Sequence, residues 1–204
     1  MMRFDLQPEP ATFDVRCRQR GKKWLADHPD YDRPHDYWSE FGQDLRQAFR
    51  GLCAYCAMWV MNGQTDHFVP VAMLKQQKQD LLAYEWDNYR YADGSLNGRK
   101  SKHIVLDPFT VNDEWFEISL PSLQLLLTDK LPAEKREIAE FTVKQLGLQD
   151  GEVVVRCRRE WFKLYQERKL TLEGLKDRAP LIARAVENDL KNGKDWRQPE
   201  QQGT

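Results

Sequence analysis

The stretch CAMWVMNGQTDHFV (residues 56–69) places an Asn-Gly pair, at 62–63, between two partly apolar runs. Asn-Gly in such a position is typical of a type I′ turn, because both turn residues need a positive φ. The sequence therefore predicts a two-stranded hairpin over 56–69, and Pro70 ends its second strand. An acid and an imidazole, Asp66 and His67, stand side by side near the end of that strand.

Helical patterns surround this hairpin, so the fold class predicted is α+β and mostly helical. In 151–170, consecutive valines favour a strand, but apolar residues also recur at helical spacing, and we adopt the helix. The other predicted elements are helices over 12–27, 36–50, 95–102, 133–147 and 171–191 and a hairpin formed by 115–120 and 123–128.

A chain of 204 residues is predicted to form one domain, 1–204. Its core region is expected over 50–105, with N-terminal helices in 12–50 and a mostly helical region in 106–191. No apolar run reaches about 18 residues, and the N-terminus lacks an apolar signal segment, so we expect a cytoplasmic protein without a membrane partner. The net charge of −1 means that a nucleic acid would need a local basic face.

Asp66, His67 and Asn97 form a constellation suited to hydrolysis with one metal ion. A carboxylate and an amide oxygen are ligands that Mg²⁺ accepts, and a neutral imidazole can take a proton from an attacking water. Adjacent residues of a regular strand point to opposite faces, so the strand is expected to bend or end at His67. Replacing Asp66 or His67 by Ala removes no large apolar side chain, so folding is expected to survive either change.

The segments CAYC, GQTDHFVP and EWDNYRYADGSLNGRKSK, in this order over residues 53–102, resemble the HNH endonucleases, also called ββα-metal nucleases. The family pattern has an Asp-His or Glu-His pair on the hairpin, a central Asn before the helix, and a His or Asn on the helix. It matches Asp66-His67, Asn88 and Asn97, with Lys100 three residues after Asn97. This chain departs from the pattern in lacking a second Cys-x-x-Cys beside the helix.

The resemblance implies a role for each matching residue. Asp66 and Asn97 would bind one Mg²⁺ or Mn²⁺, His67 would be the general base, and Asn88 would brace the loop under the site. The flanking sequence also resembles stand-alone bacterial HNH proteins, among them nuclease subunits of Septu-type and retron-linked anti-phage systems, which work beside an ATPase. An ATPase partner is therefore expected, docked on the C-terminal helices of residues 133–191.

Basic residues flank the proposed site and are predicted to bind backbone phosphates of DNA. They are Arg90, Arg99, Lys100, Lys102 and His103, of which His103 could equally cap the end of the helix.

The pair Cys53 and Cys56 has the spacing of half a structural zinc site. Two cysteines cannot complete a tetrahedral site, so His103 or Asp93 would have to serve as further ligands. The alternative is a pair of buried thiols without zinc, and the sequence leaves both open.

Taken together, these residues predict a metal-dependent endonuclease that hydrolyses phosphodiester bonds of DNA. Two rival hypotheses remain: a non-catalytic finger that binds nucleic acid or protein, and a toxin-like ribonuclease. A complete set of Asp66, His67 and Asn97 favours the enzyme, because a binding module has no need of all three.

Overall fold

A computed structural model describes residues 1–198 of the chain. Helices predominate in it, and two small antiparallel sheets accompany them, which confirms the predicted α+β, mostly helical fold class. The chain divides into two compact units. One contains Arg3–Tyr55 and Val60–Thr110, and the other contains Met1–Met2, Cys56–Trp59 and residues 111–198. The predicted single domain stays a prediction, since compact units can belong to one domain or to two.

The unit of Arg3–Tyr55 and Val60–Thr110 carries the predicted site residues except Cys56. A π-helical turn, Asp14–Arg18, leads into its first α-helix, and short 3-10 segments occupy Trp38–Phe41, Asp80–Tyr84 and Trp86–Asn88. Its regular elements are α1 (Gln19–Asp27), α2 (Gly42–Ala48), β1 (Gln64–His67), α3 (Val71–Gln77), β2 (Tyr89–Ala92) and α4 (Gly94–Lys100).

The predicted hairpin over 56–69 is wrong, because β1 pairs with β2 instead. The two strands are antiparallel, with Asp66 opposite Arg90 and His67 opposite Tyr89. Residues 56–59 belong to the other unit. The two paired strands are therefore connected by the long segment between β1 and β2, and the Asn-Gly pair is not the turn that joins them.

Gly63 is not a turn residue of a hairpin, as the sequence predicted, but a point of close contact with β2. It lacks the positive φ of a type I′ turn. Its amide instead donates to the Tyr91 hydroxyl at 2.8 Å, and a Cβ added here would lie 2.4 Å from the Tyr91 ring. Glycine thus lets the chain pass directly over a tyrosine of β2. Tyr89, Tyr91 and Ala92 of β2 are buried, so this pairing places β1 beside an apolar part of the core.

An aromatic cluster forms the core beneath the sheet. The ring of Phe13 is fully buried and packs edge-on against Phe41, Trp86 and Tyr89, with centroid distances of 5.0, 5.4 and 5.8 Å. Such edge-to-face contacts stabilise a core beyond the area that they bury. The cluster holds the first residue of β2, Tyr89, in place, and β1 pairs with that strand.

The other unit contains the predicted second hairpin and C-terminal helices, and both predictions are confirmed. Gly147, at a φ of 64°, ends the first of these helices as predicted, and the predicted helix over 171–191 is divided at Pro180. Arg158 is buried here and donates to the Leu123 carbonyl at 2.9 Å, which fastens helix to hairpin. The elements are β3 (Phe116–Ser119), β4 (Gln124–Leu127), α5 (Ala133–Leu146), α6 (Glu152–Gln166), α7 (Leu172–Arg178) and α8 (Pro180–Lys191).

Candidate functional site

Helix α4 follows β2 directly and presents one face to β1. Asp93 caps it, since its carboxylate accepts from the amides of Ser95 and Leu96 at 2.9 and 3.3 Å. Asn97 and Lys100 stand three residues apart and so share a helix face. Asn97 donates to the Gln64 side chain at 3.1 Å, and Lys100 reaches Asp66, two residues further along β1.

The Asp66 carboxylate is almost completely buried, with 4% of its residue surface exposed. Its Oδ1 accepts from the Lys100 ammonium at 3.0 Å, and its Oδ2 accepts from the Tyr55 hydroxyl at 2.5 Å. The same ammonium also donates to the His67 carbonyl at 2.7 Å. Asp66 is therefore the centre of a buried polar network that ties α4 to β1.

Burial opposes charge on both members of this ion pair. It raises the pKa of Asp66 and lowers the pKa of Lys100, while their mutual attraction works against both shifts. Burial, together with the Asp66 charge, raises the pKa of Tyr55 well above its ordinary value, so its hydroxyl stays protonated and donates. The pair therefore depends on its close contact, because each charge alone would be costly at this depth.

His67 is the last residue of β1, so the strand ends there as expected. Its ring packs edge-on against Trp38 and Tyr89, with centroid distances of 4.5 and 5.1 Å. Its Nε2 lies 3.0 Å from the Ala83 carbonyl, and a carbonyl can only accept. The proton is therefore on Nε2, and the lone pair of the neutral ring is on Nδ1.

The surroundings of His67 keep its imidazole neutral. Burial lowers its pKa from 6.5 to about 4, and the hydrogen bond to the Ala83 carbonyl opposes this shift. The positive charges of Lys100 and Arg33 add to the lowering, and Asp36 opposes it. A ring that is unprotonated at neutral pH is in the state that a general base requires.

Asn88 holds the segment that joins the two strands. Its amide oxygen accepts from the Val69 amide at 2.8 Å, and its Nδ2 donates to the Leu82 carbonyl at 3.0 Å. Its own carbonyl accepts from the Phe68 amide at 2.7 Å. These bonds hold Phe68, which follows His67, and Leu82, which precedes Ala83. Asn88 thereby braces both chain segments that form the hydrogen bond between His67 and Ala83.

As placed here, the predicted metal ligands do not fit a divalent ion. Both oxygens of Asp66 already bind donors of the chain, and one of these donors is a cation. Asn97 lies on the same side of β1, and its amide nitrogen is bound to Gln64. In residues 1–198, no group of three or more His, Cys, Asp and Glu side chains is arranged to hold an ion.

Two of the five predicted phosphate-binding residues are buried, which contradicts the role predicted for them. Lys100 is bound to Asp66, and Arg90 is bound to Asp107 at 2.8 Å with its guanidinium 3.6 Å from the centre of the Phe109 ring. A cation enclosed by the protein cannot also meet a phosphate backbone. Arg99 and Lys102 are exposed at the end of α4 and His103 is half-buried, so for these three the role stays a prediction.

Cys53 and Cys56 are both buried, and neither is part of a disulfide. The Cys53 sulfur accepts from the Asp93 amide at 3.3 Å, and the carboxylate of Asp93 is used as the helix cap. Asp93 therefore offers its amide rather than its carboxylate to the cysteine, and zinc binding by the pair stays a prediction.

Sequence reasoning missed two side chains that shape the site, Tyr55 and Trp38. Tyr55 lies between the two cysteines, so it was interpreted as part of the Cys-x-x-Cys motif. Trp38 lies on the apolar stripe of a predicted helix, so it was interpreted as a core residue. Their contacts with Asp66 and His67 join segments that are distant in sequence and irregular in structure. No periodic pattern carries that information.

Comparisons with models of protein families, with curated proteins and with solved structures find no match to this chain. Within residues 1–198, no helix has the length and apolar character needed to cross a bilayer.

Proposed function

We propose that the protein is a metal-dependent endonuclease of the HNH type that hydrolyses phosphodiester bonds of DNA. The observation that carries this proposal is the orientation of His67. Its Nε2 proton is engaged by the Ala83 carbonyl, and Asn88 holds the surrounding segment, so a neutral ring with a basic Nδ1 is fixed at the end of β1. The order β1, β2, α4, with Asn97 on the helix, agrees with the resemblance seen in the sequence.

In this proposal His67 takes the proton of the water that attacks phosphorus. The hydrogen bond to Ala83 prevents the ring from turning and sets which nitrogen is basic, as the partner of a catalytic histidine must do. Hydrolysis then leaves a 5′-phosphate and a 3′-hydroxyl, as the resemblance implies. Arg99 and Lys102 would contact flanking phosphates from the exposed end of α4.

Mg²⁺ or Mn²⁺ belongs to the proposal because of the donor types present. An Asp carboxylate and an Asn amide, with water and phosphate oxygens, form a ligand set that Mg²⁺ accepts. The arrangement of Asp66 does not itself support an ion, since Lys100 occupies the carboxylate. The cytoplasmic location, the ATPase partner and the role in anti-phage defence are further parts of the proposal and rest on the sequence.

One observation favours a second function, a finger that binds nucleic acid or protein without catalysis. Asp66, His67 and Lys100 are all buried, and the carboxylate and the ammonium are satisfied by the chain itself. A network of that kind also serves as a structural core.

The test is cleavage of supercoiled plasmid and of RNA in the presence of Mg²⁺, Mn²⁺ or EDTA. The variant is His67→Gln, whose amide nitrogen can still donate to Ala83 while the base is lost. We expect its rate on DNA to fall by about 10²–10⁴-fold, the usual contribution of a general base. His28→Ala is the matched control, because this histidine is exposed and bonds to the Trp24 carbonyl.

Equal rates for His67→Gln and the parent at saturating metal would refute the mechanism. Cleavage of RNA but not of DNA would support the ribonuclease. Cleavage of neither substrate, with circular dichroism showing a folded protein, would support the non-catalytic finger.

A further inference from the structure

A cleft of about 600 Å³ lies beside helix α2, within the unit that also contains β1, β2 and α4. It is lined by residues of the N-terminal segment 3–10, by residues of α2 and of the turn after it, and by Trp86. Its volume is within the range usual for small-molecule sites. No residue of the lining contacts Asp66 or His67 through a hydrogen bond of the proposed catalytic site, so the cleft needs an explanation of its own.

Two side chains of opposite charge, Asp44 and Arg50, line the cleft from α2 and from the turn that follows it. In the part of the chain that the structure describes, neither has a hydrogen-bond or ion-pair partner. The other two charged residues of the lining, Arg3 and Asp5, form an ion pair with each other at 3.4 Å. The cleft therefore offers one carboxylate and one guanidinium that the protein itself does not use.

The backbone of Arg50 has a left-handed conformation, with a φ of 54°, which few residues other than glycine and asparagine adopt. Gly51 follows with a φ of 71°, so the chain leaves α2 through two left-handed residues. A glycine at position 50 would form this helix end without strain. The side chain of Arg50 therefore needs a reason to be there, and it lines the cleft.

The charges of the lining decide the class of ligand. Two cations and two anions line the cleft, so their charges balance. A polyanion such as a nucleic-acid backbone would be repelled by Asp5 and Asp44. A polycation would be repelled by Arg3 and Arg50. A molecule with an ammonium group at one end and a carboxylate at the other matches both unused side chains, since each end then meets the opposite charge.

We propose that this cleft binds a short zwitterionic peptide, whose ammonium end is held by Asp44 and whose carboxylate end is held by Arg50. A guanidinium can bind a carboxylate through two parallel hydrogen bonds, and a carboxylate accepts readily from an ammonium. Gln47 lies between the two in sequence and lines the same cleft, and its amide offers a donor and an acceptor to the peptide group of the ligand. This function goes beyond the nuclease and does not depend on it.

The test is a titration of the full chain with glycine, diglycine, triglycine and tetraglycine, followed by calorimetry and by NMR of the backbone amides. These ligands differ only in the distance between their charged ends. We expect triglycine to bind more tightly than glycine, because the two charges of glycine are one carbon apart and Asp44 and Arg50 are six residues apart.

Blocked peptides test each end separately. N-Acetyl-triglycine lacks the ammonium and triglycine amide lacks the carboxylate, and the parent should bind each on the order of tenfold more weakly than triglycine, the effect of one lost charge-assisted hydrogen bond. Asp44→Asn should lose the preference for a free ammonium, and Arg50→Gln should lose the preference for a free carboxylate. Asp27→Asn and Arg33→Gln are the matched controls, because both residues are exposed and lie outside the cleft, and they should bind as the parent does.

Equal binding of free and blocked peptides by the parent overturns the proposal, and this comparison needs no variant to fold. Preferences that survive in Asp44→Asn and Arg50→Gln, with circular dichroism showing folded proteins, overturn it as well. If the parent binds none of the peptides at millimolar concentration, the proposal is wrong, and the two charges serve only the dipole of α2.

Discussion

The imidazole of His67 should stay neutral well below the pH at which an exposed histidine takes up a proton. Its ring lies between Trp38 and Tyr89, and only 8% of the residue surface is exposed. Burial lowers its pKa from 6.5 to about 4, with the Ala83 carbonyl opposing the shift. Arg33 and Lys100 also disfavour the protonated ring, and Asp36 favours it.

This shift makes a predictable contribution to stability. Between pH 6.5 and about 4, the unfolded chain binds a proton at His67 and the folded chain does not. The contribution is therefore complete above the unfolded pKa and is lost as the pH falls through this window. At about 1.4 kcal/mol for each pKa unit, the free energy of unfolding should lose on the order of 3 kcal/mol from this group.

The assay compares urea unfolding of the parent and of His67→Gln from pH 7.5 down to pH 4. Asp66, whose raised pKa favours the folded state at low pH, is present in both proteins, so its effect largely cancels in the difference. We expect the parent to lose roughly 3 kcal/mol more than the variant. Histidine NMR measures the pKa directly, and a His67 that titrates near 6.5 would refute the reasoning.

Two further changes test the buried network and the brace. Contrary to what the sequence alone suggests, Asp66→Ala should lower the free energy of unfolding by roughly 3–5 kcal/mol, because it leaves the buried Lys100 ammonium without its charged partner. Urea unfolding measures this loss, and the exposed Asp5→Ala, as control, should cost less than about 1 kcal/mol. Equal losses for the two variants would contradict the prediction. Asn88→Ala should cost about 1–3 kcal/mol and speed hydrogen exchange at the Val69 amide, and unchanged exchange there would mean that Asn88 is not the brace.

Much of the secondary structure could be predicted because its signals are local. A helix of suitable periodicity that ends at Gly147 is specified within its own residues, and so is the cap that Asp93 places on α4. The order of Asp66, His67, Asn88 and Asn97 along the chain likewise needed only the sequence. The helix end and the cap depend on residues within a few positions, and the order of residues along the chain depends on no contact at all.

The tertiary structure decided which strand pairs with β1 and which charges are buried. The Asn-Gly pair is compatible with a hairpin, but the backbone of β1 pairs with that of β2, a strand whose side chains are buried. Strand pairing at such a separation depends on apolar burial that no short window contains. Lys100 had the sequence surroundings of a solvated residue, and only the approach of α4 to β1 placed its ammonium against Asp66. A charge can be buried only where folding brings an oppositely charged partner into contact with it. That partner comes from a distant part of the chain, so the sequence around the charge does not reveal it.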